Sequence, residues 1–344
     1  MSGAAAPAMA VPRARLEWLD FYRGLAVLVM IETHVGNTFL ASDHWPAAWR
    51  VNLNYVNGLV APAFLFIAGY AHGLGLRRKR AVRARIGPRL VRLAGIAAFG
   101  YALHFPVMEV LAGRWSDALR VGARVDILTC LAVALAALVL IERACGRWVQ
   151  AGVAAAMAAV VIAAPFAVEW TAGPGALVAL LNQSTGSLFP LFPWAAFAFA
   201  GFLVSEQRPT FPSFLARAAG AAVVVFLLGR ANLTPTSAAF FFERLAWILA
   251  LVPVCAWLSS KCAPSIVLFA GRESFWLYVV HLALIETLAS VITPRVGWPA
   301  TLGLLALVLA GSFAIAHGWR MFTVARADRA RRAVHLRESS APAA

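Results

Sequence analysis

A stretch of about 20 predominantly apolar residues can satisfy its own backbone in a bilayer only by coiling into a helix, because lipid offers the amide groups no partners. Ten stretches of that kind recur along this chain of 344 residues, near 18–39, 53–76, 90–112, 125–142, 149–168, 186–204, 214–230, 239–259, 272–292 and 299–320. A soluble globule is excluded. Of the residues, 62% are hydrophobic and 13% charged, whereas globular domains have about half and about a quarter. The sequence therefore predicts an all-α polytopic membrane protein with about ten transmembrane helices.

The net charge of +15 would suit nucleic acid if it formed one basic face. Instead Lys and Arg gather in short connectors between apolar runs, which is how orientation in a membrane is encoded, and no nucleic-acid partner is expected. With alternate sides assigned from the N-terminus, 22 Lys and Arg fall on one side and 7 on the other, Arg23 lying within the first helix. The rich side is predicted to be cytoplasmic, which gives an N-in, C-in chain. Its largest cluster, from Arg77 to Arg92, is either a landing surface for the phosphates of a cytoplasmic donor or a topology signal in contact with lipid head groups. Residues 1–15 read as a short N-terminal tail, 16–322 as the transmembrane domain and 323–344 as a basic, Ala-rich, disordered cytoplasmic tail. Met1 to Arg15 has some marks of a signal peptide, but charges in the run that follows argue for a retained first helix. Cys130, Cys145, Cys255 and Cys262 show no paired ligand spacing, so neither a disulfide framework nor a metal site is predicted.

Ionisable groups inside apolar runs are costly and mark function by default. The first run holds Asp20, Arg23, Glu32 and His34. Eleven helical steps separate Arg23 from His34, three turns plus about 20°, so both share a face roughly 16 Å apart along the axis. Either they face one cavity, or Arg23 snorkels while His34 bonds to a neighbouring helix. The second run carries Asn52, Asn54, Asn57 and Gly58, then Pro62, whose kink either opens a cavity beside His34 or serves packing, with Gly69 allowing close helix approach. The short outer loop between these runs holds His44 with Trp45 and Trp49; the aromatic pair suits the interface, and His44 is a candidate substrate contact. Phe189 to Trp194, with two prolines, breaks helix geometry at membrane depth, either lining a cavity or capping a helix start. In the ninth run Ser274, Tyr278 and His281 share a face, for a substrate or for neighbouring helices. His72, His104 and Glu109 read as packing groups, and Asp126 as the neutraliser of Arg124. The first, second, sixth and ninth runs are thus expected to surround one polar cavity.

Four stretches, in this order, carry a resemblance: Leu19-Asp20-Phe21-Tyr22-Arg23-Gly24-Leu25-Ala26 through His34, Ala61 to Gly69, Phe189 to Trp194 with Gly201, and Ser274 to His281. They resemble the heparan-α-glucosaminide N-acetyltransferase catalytic-domain family, and the spacing of Arg23 and His34 is similar to that of bacterial O-acyltransferases of envelope polysaccharides. The resemblance implies a membrane acyltransferase of the bacterial inner membrane. It would move an acyl group, usually acetyl, from a cytoplasmic acyl-CoA co-substrate to a sugar or glycan on the outer face, with no permanently bound cofactor. The lysosomal branch carries a His just before a Trp-Asn-Gly, whereas Asn54-Tyr55-Val56-Asn57-Gly58 stands here. The catalytic role therefore goes to His34, with Arg23 holding Asp20 or an anionic part of the donor. Asn57, His44, Ser274, Tyr278, His281 and Trp194 are assigned to substrate, His44 also being the reserve for catalysis. A neutral imidazole can accept a proton from the acceptor or attack the thioester at ordinary pH; the permanently charged Arg23 can do neither. Partners expected are the bilayer and the glycan acceptor, and a homodimer is left open. The alternative is a transporter or flippase of an envelope metabolite, but no paired half-sequences accompany it.

Overall fold

The structure, a computed structural model, describes residues 16–41, 47–79, 86–184, 186–207, 210–229, 233–292 and 295–339. Over these the chain forms α1 (Glu17–Phe39), α2 (Ala47–Asn57), α3 (Val60–Lys79), α4 (Gly87–Leu103), α5 (Val107–Leu111), α6 (Trp115–Gly122), α7 (Ile127–Cys145) and α8 (Val149–Glu169). There follow α9 (Gly175–Leu181), α10 (Leu191–Glu206), α11 (Phe211–Leu228), α12 (Ala238–Lys261), α13 (Ser265–Arg272), α14 (Ser274–Ala289) and α15 (Trp298–Ser339). The β-type pairing among the described residues is an isolated bridge between Leu40 and Val296, which ties the end of α1 to the approach to α15.

Five helical stretches among the described residues are long and apolar enough to cross a membrane, and a sixth results if α13 and α14, bent by 88°, count as one span. One of the five runs for 43 residues from Ile127 to Glu169. Gly146, at a φ of 51°, interrupts it between α7 and α8, which pack on each other and are each about 30 Å long at 1.5 Å per residue. Large apolar side chains point outward: Ile162, Phe166, Phe226 and Leu227 are 67 to 80% exposed. Large apolar side chains exposed on spanning helices belong against lipid.

Each of the ten expected segments coincides with helix, yet several end differently. The third does not run to 112. It stops as α4 at Leu103 because Phe105 precedes Pro106, and a residue before proline is driven from helical φ/ψ; the chain turns into α5 and α6 instead. The second segment does not kink at Pro62. It breaks a turn earlier, at Gly58 and Leu59, and Pro62 sits in the first turn of α3, where a missing N–H leaves no helical bond unmade. The ninth begins at Ser274, after a sharp bend from α13. Residues 323–339, expected to be disordered, prolong α15, since Ala and Arg dominate there and both favour helix.

Two close helix crossings organise the bundle. A Cβ at Gly69 would fall on the Ala198 carbonyl, and one at Gly201 on the Phe66 carbonyl, so α3 and α10 cross backbone to backbone. In the same way Gly24 meets Val267 and Gly271 meets Asp20 where α1 crosses α13. Small residues allow such contact where lipid gives helices no hydrophobic reason to associate. Around α1 stand α3, α12, α13, α14 and α15, and Phe66, Phe197, Phe202 and Phe241 are fully buried in the interior.

Candidate functional site

A cavity of about 480 Å³ opens between α1, the α2 to α3 break, α7, the irregular entry to α10, and α14. Each element brings polar groups for a local reason. On α1, Thr33, His34 and Asn37 lie on the wall. The turn at Gly58 places Asn54 and Asn57 there. Phe192, at φ −100° and ψ 118°, interrupts the start of α10. That lets Phe189 and Trp194 reach the cavity in edge contact, centroids 5.0 Å apart. From α14 come Ser274 and Tyr278, one turn apart on the same face.

At the centre of one wall His34 Nδ1 lies 2.8 Å from His281 Nε2. The rings are nearly parallel, at 5°, with centroids 5.1 Å apart, so they meet edge to edge rather than face to face. His281 is fully buried behind His34, and its Nδ1 lies 2.8 Å from the Leu277 carbonyl. On the same lining Asp126 caps α7, accepting from the Thr129 amide at 2.8 Å and from the Tyr278 hydroxyl at 3.3 Å. His104 Nε2 approaches the same carboxylate at 3.9 Å. Two buried polar atoms on the lining, Asn57 Oδ1 and Trp194 Nε1, have no hydrogen-bond partner among the described residues. One is an acceptor and one a donor, and a buried polar group without a partner is costly until a ligand supplies one.

His34, Asn57, Trp194, Ser274 and Tyr278 thus share one cavity. His281 supports it from behind and does not line it. Asp20 and Arg23 are not brought to His34. Arg272 Nε donates to Asp20 at 3.4 Å and Arg23 donates to the Gly271 carbonyl at 3.3 Å, both at the crossing of α1 with α13. A second cavity, of about 460 Å³, lies beside that crossing and is lined by Ser265, Phe269, Arg272, His317 and Arg320 among others. His44 lies outside the described residues, as do Arg80, Arg83 and Arg85 of the basic cluster. Asp126 and His104 were read from the sequence as a charge neutraliser and a packing group, yet both line the cavity. The available signal for Asp126 was its place three residues before Thr129 at a helix start, the spacing of an N-cap; for His104 it was the helix stop imposed by Phe105-Pro106.

An all-helical fold with several spanning helices, an apolar exterior and a largely apolar cavity that carries a few polar groups defines a multi-pass membrane protein, and the sequence match makes it one of acetyltransferase type. Residues 15–235 match the model of the heparan-alpha-glucosaminide N-acetyltransferase catalytic domain, more than half of the chain, and the chain belongs to that family. The match contains α1 through α11 and ends before α14, so Ser274, Tyr278 and His281 lie beyond it. No curated protein matches the chain.

Proposed function

We propose that this protein is an enzyme of a bacterial inner membrane that transfers an acyl group, acetyl in the first instance, from a cytoplasmic acyl-CoA to a sugar or glycan entering from the opposite face. The observation that carries the reading is the joining of His34 to Asn57, Trp194, Ser274 and Tyr278 around one cavity in a chain of this family. An aromatic wall with amides, hydroxyls, a carboxylate and unpartnered Asn57 and Trp194 atoms suits a polyhydroxylated acceptor. In this reading all ten apolar segments cross the membrane and both termini are cytoplasmic. The basic connectors and the second cavity, with Arg272, His317 and Arg320, then lie on the donor's side, where its phosphates meet cationic groups.

His34 acts as the general base. As the acceptor oxygen or nitrogen bonds to the thioester carbon, its proton passes to His34; the C–S bond breaks and the departing thiolate takes that proton back. Asp126 and Tyr278, bonded to each other beside the His34–His281 pair, orient the acceptor. Purified protein given radiolabelled acetyl-CoA and a panel of mono- and oligosaccharides should label an acceptor. Labelling of none, with flux of an unmodified solute in proteoliposomes, would replace the enzyme by a transporter.

A further inference from the structure

The hydrogen bonds behind His34 determine which of its nitrogens reacts. A carbonyl oxygen can only accept, so the contact between His281 Nδ1 and the Leu277 carbonyl places a proton on Nδ1. In a neutral imidazole the other nitrogen then bears the lone pair, so His281 Nε2 is an acceptor and His34 Nδ1 must be the donor across their 2.8 Å contact. The edge-to-edge arrangement of the rings suits this in-plane bond. His34 is left with its lone pair on Nε2, the far edge of a ring that lines the cavity.

We infer that His281 is a positioning residue: it holds His34 in the Nδ1–H tautomer and presents Nε2 as the atom that takes the acceptor's proton. The inference rests on the assignment of His34 as the base. When Nε2 takes that proton, His34 becomes an imidazolium whose Nδ1–H still points at the His281 lone pair. The charge therefore gains a bonded acceptor at the moment it forms. Return of the Nε2 proton to the departing thiolate leaves both rings neutral, and neither proton behind His34 need move. His281 itself touches no substrate, being fully buried and absent from the cavity wall. The arrangement also accounts for a buried histidine on this helix, since a neutral imidazole accepts at one ring nitrogen and donates at the other and so satisfies both contacts.

Two readouts test this. In the full-length protein with ¹⁵N-labelled histidine, nitrogen NMR should show His34 with a protonated Nδ1 and an unprotonated Nε2, assigned by loss of the signals in His34→Ala. His281→Phe, which keeps an aromatic ring but offers no lone pair, should release His34 into a tautomer mixture. It should also lower kcat about 10- to 100-fold with KM for both substrates nearly unchanged, while His281→Gln, whose amide oxygen can accept from Nδ1–H, should recover much of both. An unprotonated His34 Nδ1 in the unsubstituted protein overturns the inference, and that spectrum needs neither variant to fold. Wild-type kcat in a folded His281→Phe overturns it as well. If no acyl transfer is found at all, the tautomer measurement still stands, so failure of the proposed function and failure of this inference are told apart.

Discussion

At the scale of residues, His34 is exposed to the cavity on one edge and bonded on the other, whereas Arg23, on the same face of α1, ends on a backbone carbonyl near α13. Helical spacing gives the direction in which a side chain leaves its helix but not which neighbour stands at that height. This is why the shared face was legible and the separate fates of the two groups were not. His34, Asn57, Trp194, Ser274 and Tyr278 were legible because each is polar or irregular within an apolar run, where its presence needs a reason. Asp126 and His104 were not, because each stands at a helix boundary, where a polar residue has a sufficient local explanation. His34→Ala is expected to lower transfer per folded molecule by about 10²- to 10⁴-fold, the range for loss of a general base. His44→Ala, measured beside it with the amount of folded protein, is expected to retain activity. The reverse result would move the chemistry to the outer loop.

At the scale of elements, the cavity exists because helices are interrupted. The Gly58 turn, the non-helical Phe192 and the bend between α13 and α14 each free a few residues to face inward, and the backbone they expose is covered by protein. Prolines and glycines announced two of these interruptions in the sequence; the Gly58 break was misplaced by a turn, because Pro62 is tolerated at a helix start as readily as it kinks an interior. The crossing of α3 and α10 tests how rigidly these parts are held. Gly69→Val must displace the backbone of Ala198, and overpacking of this order costs about 1–3 kcal/mol. Its melting temperature in detergent should fall by several degrees. Gly303→Val, on α15 with open space around it, should change stability by less than about 0.5 kcal/mol. Equal melting temperatures for the two variants would mean that the crossing is looser than its geometry implies.

At the scale of the whole molecule, the expected asymmetry of basic residues predicts where reporters should fall. A fusion after Lys79 should report the cytoplasm and one near Gly175 the outside; either result reversed would overturn the N-in, C-in arrangement. The apolar runs were legible as helices, and five stretches among the described residues are long and apolar enough to cross a membrane; the short α4 and α10, of 17 and 16 residues, show why run length alone does not give the number of crossings. The two cavities stand toward opposite ends of α1, with Asp20 and Arg23 beside one and His34 on the other, Arg23 and His34 about 16 Å apart along the helix. That separation has an electrical meaning. In the proposed reaction, with the donor's phosphates kept at the basic end, only the neutral thioester end of the donor has to reach His34 and a neutral thiol leaves it, so the membrane voltage does almost no work on the reaction. Turnover in proteoliposomes should stay nearly constant when about 100 mV is imposed in either direction. A route that carried even one elementary charge across would change by roughly 2.3 kcal/mol, or about 50-fold.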